Sequence, residues 1–443
     1  MKTIIVGGDA AGMSAASKLK RLKQDSEIVV YEKGNYLSYA SCGLPYYVAD
    51  GTMEQRGLIQ RTKQEFETAG IRPVLRHEVR QVIPEQKKIT VKNLITGEIF
   101  DDSFDKLLIA TGAHPVVPSL PGTELEGVHT LKTIDDAVAL KNRLMPDNVR
   151  NIAVIGGGYI GVEVAEALAQ TGRSIRIIQR PDVLIKNFDP EISSFAYREL
   201  ERLGVEIKTG ERLQAILGTS RVEAVVTDRG TYAADVVLLA LGVAPSTEFI
   251  KDSGIELAEN GAVIIDREMR TSLPDVYSAG DCAEVYHMVR MENAYIPLAT
   301  TANKCGRIAG ENLAGGHVSF AGTLGSAAIK VGKLELARTG LSESEARRLG
   351  LDVKTVLVKA SDLPHYYPGA SPLRIKLNYE SGTRRILGAQ GAGEKGVVLR
   401  IDIFAAAIAN RMSADELGML DLCYAPPFST PWDAVHIAAN AAK

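Results

Sequence analysis

The sequence predicts an α/β protein with two βαβ nucleotide-binding units and a third, separate unit of strands and helix. Three observations predict it. A short β-branched strand at 2–7, KTIIVG, runs into a Gly-rich turn, the helical pattern MSAASKLKRL and a second strand at 28–32, IVVYE. The same order recurs at 151–180 as strand NIAVIG, turn GGYIG, helix VEVAEALAQT and strand SIRIIQR, with Gly156 standing 149 residues after Gly7. From about 323 onward no such turn recurs.

The remaining elements follow in order. Segment 107–118, LLIATGAHPVVP, reads as a buried strand with a Pro-rich exit, and 236–245, VVLLALGVAP, repeats that form. Segment 276–281, VYSAGD, is a strand ending in Gly-Asp. Strands at 327–331, 353–359 and 373–379 and a helix at 397–409 make up the third unit, closed by the Pro-rich stretch APPFSTP at 425–431. The expected divisions are 1–112 and 246–322 for the first unit, 113–245 for an inserted second unit, and 323–443 for the third.

Composition narrows the function. The chain has 443 residues, 45% hydrophobic and 24% charged, which excludes a mainly disordered polypeptide. Lys plus Arg number 51 against 54 for Asp plus Glu, a net charge of −3 that lacks the basic footprint of a nucleic-acid binder. No apolar run reaches the 18 residues of a membrane span, and MKTIIVGGDAAG lacks the pattern of a signal peptide. A cytoplasmic protein that engages no membrane is expected. The four cysteines, Cys42, Cys282, Cys305 and Cys423, form no CxxC pair, and no Cys/His spacing suits zinc or another metal.

Gly156, Gly158 and Gly161 complete a GxGxxG with Tyr159 and Ile160 between strand and helix. Such glycines permit a tight turn, close approach of a pyrophosphate and helix–strand packing, and the helix N-terminus supplies donors to the anion. The second strand ends in Gln179-Arg180, with no acid for a ribose 2′-hydroxyl and an Arg suited to a 2′-phosphate. That points to NADPH or dual use, although Arg180 also reads as an ordinary surface residue. The first turn has Gly7 and Gly12 but Asp9 at the middle position; Glu32, 25 residues after Gly7, restores the case for an adenine dinucleotide.

Cys42 lies in Ser38-Tyr39-Ala40-Ser41-Cys42-Gly43-Leu44-Pro45-Tyr46. Ser41 suits an N-cap and Pro45 a first helical turn, so Cys42 is expected at a helix N-terminus that stabilises a thiolate. A buried structural cysteine is the competing reading. Cys282, Cys305 and Cys423 read as packing residues.

Together these residues resemble the pyridine nucleotide–disulfide oxidoreductases, which use FAD and NAD(P)H, along essentially the whole chain. The resemblance implies two Rossmann-like dinucleotide-binding domains and a C-terminal α+β dimerisation domain. It places FAD against Gly7, Ala10, Ala11, Gly12, Glu32, Lys33, Ser41, Val79, Ala110, Thr111, Gly112, Gly280, Asp281, Pro297, Leu298 and Ala299. It places NADPH or NADH against Gly156, Gly158, Tyr159, Ile160, Gly161, Gln179, Arg180 and Gly242.

Within the family the chain is most similar to the single-cysteine branch of coenzyme A-disulfide reductases, whose active cysteine sits in a motif like SYASCGLPY. Tyr46 stands four residues after Cys42, so the CxxxxC partner of two-cysteine relatives is absent. The resemblance implies that a mixed disulfide with the substrate thiol, a Cys42–coenzyme A adduct, replaces that partner. His365-Tyr366-Tyr367-Pro368-Gly369 and Tyr424-Ala425-Pro426-Pro427 resemble segments whose tyrosines reach the opposite subunit's active site in a homodimer, so Tyr366 and Tyr424 are implied in catalysis. Asn303-Lys304-x-Gly306-Arg307 resembles a segment near flavin and substrate; with Arg21 and Ser38, Asn303 and Arg307 are the implied contacts to coenzyme A. Arg21 shares its helix with Lys18, Lys20 and Lys23, which also reads as a solvated face. Peroxidase and water-forming oxidase relatives carry a His where this chain has Ala10, so no imidazole handles peroxide protons there. NADH oxidase and polysulfide or persulfide reductase remain the alternatives within the fold, and a low-turnover redox sensor the alternative of another class.

Overall fold

The computed structural model describes residues 1–146 and 148–443. Its first sheet is parallel, in the order Val276–Ser278, Lys106–Ile109, Lys2–Val6, Glu27–Glu32, Arg72–Leu75. The central strand is β-branched and shielded on both faces, with Ile4 and Ile5 fully buried. That is the environment in which a continuous apolar run makes a strand. A second parallel sheet runs Glu206–Thr209, Ser174–Gln179, Asn151–Ile155, Val236–Leu239, Val128–His129. Each parallel sheet is accompanied by a three-stranded antiparallel sheet, Leu213–Leu217, Ala224–Thr227 and Thr231–Ala233 in the second unit, and His77–Ile83, Lys88–Asn93 and Ile99–Ser103 in the first.

The chain enters and leaves the second unit side by side. Ala113–Pro115 pairs antiparallel with Val243–Pro245, Ala113 opposite Pro245.

Helix Ala10–Leu22 follows the first turn and packs along helix Ala299–Leu313. Their backbones touch because two residues of the second helix lack side chains. A Cβ on Gly306 would lie 2.2 Å from Ala11 O, and one on Gly310 2.4 Å from Ala15 O.

The third unit is a five-stranded antiparallel sheet, ordered Ala327–Val331, Leu334–Gly340, Ile386–Gly393, Pro372–Glu380, Val353–Ser361, with helix Val397–Ala409 across it. The expected strands at 327–331, 353–359 and 373–379 are present, and the helix matches its expected bounds. Two inner strands, Leu334–Gly340 and Ile386–Gly393, were not anticipated. ILGAQGAG carries three glycines, which weaken strand propensity. Here they admit close neighbours: a Cβ on Gly388 would meet Leu341 O at 1.9 Å.

Buried polar contacts tie the third unit to the second. Lys376, 2% exposed, binds Glu343 at 2.8 Å, Glu191 at 3.0 Å and Asp189 at 3.3 Å. Lys330 reaches the buried Glu166 at 2.9 Å. Among the described residues no helix is long and apolar enough to cross a membrane, and no cluster of metal-binding side chains occurs.

Candidate active site

The two Gly-rich turns are built alike. Gly7 and Gly156 have φ of 108° and 113°, and a Cβ on either would collide with a carbonyl, Ala110 O at 2.1 Å or Ala240 O at 2.2 Å. A Cβ on Gly12 or Gly161 would sit 1.9 Å from the carbonyl of Gly7 or Gly156. These glycines are required by space, and they bring strand, turn and helix N-terminus together. At Gly158 nothing in the protein meets a Cβ, so the bare backbone faces open space, as close approach of a pyrophosphate requires. Tyr159, Ile160 and Gly161 open helix Tyr159–Ala169. Gln179 ends its strand, Arg180 is exposed just beyond, and Gly242 adopts φ 105° facing open space.

Beside the first turn lies a cleft of about 430 Å³ lined by Gly7, Glu32, Lys33, Val79 and Thr111. Glu32 Oε2 accepts from Gly8 N at 2.7 Å and its Oε1 from Gly34 N at 2.7 Å. Ala110 and Gly112, the latter at φ 66°, flank Thr111, whose hydroxyl donates to Ser246 O at 2.7 Å. Gly280 takes φ 89° and approaches Ala11; Asp281 accepts from Lys132 Nζ at 3.1 Å. Pro297 and Leu298 lead into the helix that begins at Ala299. A bare-backbone cradle, a strand-end acid and an open cleft fit FAD in the first unit, as the second turn fits NAD(P)H.

A second cleft, of about 380 Å³, lies across the helix pair. Arg21, Ser38, Asn303 and Arg307 all line it, with Ala10, Ser14, Ser17, Arg61 and Lys304. The close approach at Gly306 sets Asn303 against the first helix, where Ser14 Oγ donates to Asn303 Oδ1 at 2.8 Å. Arg61 sits over the Phe66 ring at 4.1 Å. Sequence reasoning missed Ser14, Ser17 and Arg61, which belong to no motif; Lys304 lay unassigned within the Asn303–Arg307 segment.

Cys42 stands four residues from Ser38, at most about 14 Å along an extended chain. Its local structure differs from the expectation. Ser41–Gly43 is a single 3₁₀ turn, Ser41 makes no cap, and the helix that follows, Leu44–Ala49, is six residues long with Gly43 at its N-cap. Pro45 in the first turn starts that helix after the cysteine. The dipole of so short a helix gives the thiol little help. The thiol lies against enough protein that burial pushes its pKa up, and the Glu163 carboxylate adds to this. The neighbouring Ser41 hydroxyl and the charge of Lys132 oppose them, while Asp281 adds a smaller upward push. Neither Glu163 nor Lys132 was anticipated, because each acts across the fold. Glu163 is itself pushed up to about 7, first by burial and then by Glu166.

The other cysteines divide. Cys282 and Cys305 are buried, as expected. Cys423 is exposed, not packed: its segment carries exposed Met419, Tyr424, Phe428 and Trp432 on one surface of the third unit. Tyr366 and Tyr424 come near one another there, both exposed, and the Tyr424 hydroxyl pushes the Tyr366 phenol up. Within one chain neither is among the main groups that shift Cys42.

Two dinucleotide cradles, an accessible thiol and a third α+β unit define a flavin- and pyridine-nucleotide-dependent oxidoreductase. The chain belongs to the pyridine nucleotide-disulphide oxidoreductase family, which matches residues 1–306, and it carries that family's dimerisation domain at 326–435. It is 38% identical to the NAD(P)H coenzyme A polysulfide/persulfide reductase of Pyrococcus horikoshii over 443 residues, covering 100% of this chain and 98% of that one. It is 31% identical to the coenzyme A disulfide reductase of Staphylococcus aureus, covering all of both chains. The water-forming NADH oxidase of Lactobacillus brevis, solved with NADH bound, superposes with a TM-score of 0.96 at 31% identity, covering 100% of this chain and 98% of that one. FAD and NAD(P)H are the cofactors of this family.

Proposed function

We propose that the protein reduces coenzyme A disulfide, or coenzyme A-bound mixed disulfides and persulfides, through the single thiol of Cys42. One observation carries this reading: a cleft lined by Arg21, Ser38, Asn303 and Arg307 opens within a short chain length of an exposed cysteine. Cationic and amide groups suit the phosphates and amides of coenzyme A. Similarity to two coenzyme A-linked reductases supports the same class.

The Cys42 thiolate attacks one sulfur of the substrate disulfide. A new S–S bond forms to Cys42, the old one breaks, and one coenzyme A leaves as thiolate and takes a proton. When bound, FAD supplies the two electrons from NAD(P)H that reopen the mixed disulfide, returning Cys42 and releasing the second thiol. Lys132 and the neighbouring Ser41 hydroxyl favour the thiolate at Cys42. Tyr366 and Tyr424 of a second copy are the proton donors to the leaving thiolate, with the exposed apolar surface around Tyr424 as the homodimer contact.

Cys42→Ser should abolish NAD(P)H-dependent reduction of coenzyme A disulfide while FAD stays bound; full turnover in that variant sinks the proposal. Rates with coenzyme A disulfide, coenzyme A persulfide and O₂ separate this reading from an oxidase. Ala10, where an imidazole would be needed for peroxide protons, weighs against the oxidase.

A further inference from the structure

The loop 180–189 leaves the strand that ends at Gln179 and reaches Asp189, the N-cap of helix Pro190–Arg202. It carries Arg180, the residue placed to meet a 2′-phosphate. The loop is folded back onto the phosphate turn. Ile185 N donates to Gly157 O at 2.7 Å, and Gln179 Nε2 donates to Val183 O at 3.2 Å. Ile185 has φ 46°, a left-handed conformation that β-branched residues rarely adopt. Such strain persists only where the surroundings over-determine it.

The far end of the loop is held by the third unit. Arg338, 6% exposed, donates through Nη1 to Asn187 O. Its Nη2 donates to Glu345 at 2.8 Å and to Gly340 O at 2.7 Å. Gln390 accepts from Asp189 N at 2.8 Å and donates to its carboxylate at 2.9 Å. Two polar atoms at this seam are buried without a hydrogen-bond partner: Arg338 Nε and Tyr159 Oη. Tyr159 is the first residue of the helix behind the phosphate turn, and its ring meets Phe188 edge-on at 6.3 Å.

We infer that Arg338 is a positioning residue for the pyridine nucleotide, holding the strained 180–189 loop against the phosphate turn through Asn187. Without it the left-handed turn at Ile185 relaxes, and Arg180 and the Gly157 backbone lose their places. The dimerisation domain thereby sets NAD(P)H affinity. This rests on the second turn being the NAD(P)H site and not on the choice of sulfur acceptor.

The test uses FAD-loaded enzyme carrying Arg338→Met or Arg338→Lys, with Kd for NADPH and NADH measured by fluorescence on dithionite-reduced enzyme and for NADP⁺ by calorimetry on oxidised enzyme. Loss of a charge-assisted bond that holds the loop should weaken NADPH by roughly tenfold in Arg338→Met. Arg338→Lys should lie between that variant and the native enzyme. The KM for NADPH should rise while kcat at saturation, FAD content and Cys42 thiol titration hold. Unchanged Kd alongside a lower melting temperature overturns the inference, since that is what a purely structural Arg338 does. Should Arg338→Met not fold, Gln390→Leu removes the neighbouring anchor, and unchanged nucleotide affinity there overturns it equally. Reoxidation of dithionite-reduced enzyme by coenzyme A disulfide bypasses the nucleotide. Failure of that reaction in the native enzyme sinks the acceptor reading alone.

Discussion

Gln179 Oε1 accepts a hydrogen bond from Gly157 N at 2.9 Å, the same bond that Glu32 makes to Gly8 N at 2.7 Å in the other unit. Both side chains end the second strand of their unit and brace the turn from below. The difference is charge. Gln179→Glu keeps the acceptor, gives up the donation to Val183 and sets a carboxylate where a 2′-phosphate would come. NADPH should lose tenfold or more in kcat/KM, about 1.4 kcal/mol, while NADH is retained or improved. Parallel steady-state rates with both nucleotides check this.

Glu163 makes the site sensitive to pH. Its carboxyl titrates near 7 in the fold against 4.5 ordinarily, so folding favours the protonated form. That contribution to stability is complete below the unfolded value and disappears as pH climbs through 7. Glu163→Gln should leave stability at pH 5 nearly unchanged and raise it at pH 9 by about 1–3 kcal/mol, read by denaturant melts at both pH values.

The same substitution should ease ionisation of Cys42, because the Glu163 charge pushes its thiol up. Lys132→Met should do the opposite, since Lys132 is the cation that favours the thiolate. Iodoacetamide alkylation of Cys42 followed against pH should shift in opposite directions in the two variants. A shift of the same sign in both contradicts this account.

Tyr424→Phe removes the hydroxyl that neighbours Tyr366 on an exposed surface. If the pair donates protons across a dimer, turnover with coenzyme A disulfide should fall by about 10²-fold, with melting temperature and FAD content unchanged. Stopped-flow flavin reduction by NADPH should be unaffected.

Lys376 contacts Asp189, Glu191 and Glu343 from a position 2% exposed. Lys376→Met leaves the buried Asp189 without its cation, while Glu343 keeps Arg347 and Glu191 keeps access to water. Breaking a buried ion pair on one side costs about 3–5 kcal/mol, which thermal unfolding of the holoenzyme should show.

Local rules revealed one part of this molecule and missed another. Strand, Gly-rich turn and helix were legible twice because the periodicities and glycine positions are set within some thirty residues. The third unit's helix was legible because VVLRIDIFAAAIA is apolar but for Arg400 and Asp402. Leu334–Gly340 and Ile386–Gly393 were not: each forms a hairpin with a neighbouring strand, but they also pair with each other across a long stretch of chain, and the glycines of Ile386–Gly393 serve packing. The cap assigned to Ser41 failed because the chain makes a 3₁₀ turn before committing to helix. Lys132, Glu163 and Arg338 belong to no motif; each matters through a neighbour that only the fold supplies.

The two short strands Ala113–Pro115 and Val243–Pro245 have a topological consequence. Paired opposite one another, they set the two ends of the 113–245 stretch one strand spacing apart, about 5 Å. The stretch is therefore a cassette with both leads at one port. Replacing it with another unit of matched lead spacing would leave the ends at Gly112 and Ser246 where they are, close enough to be joined by a short linker. Such an exchange would also remove Lys132 and Glu163, so nucleotide choice and the charge environment of Cys42 would change together, and the new unit would have to present the third unit with a loop that Arg338 can grip.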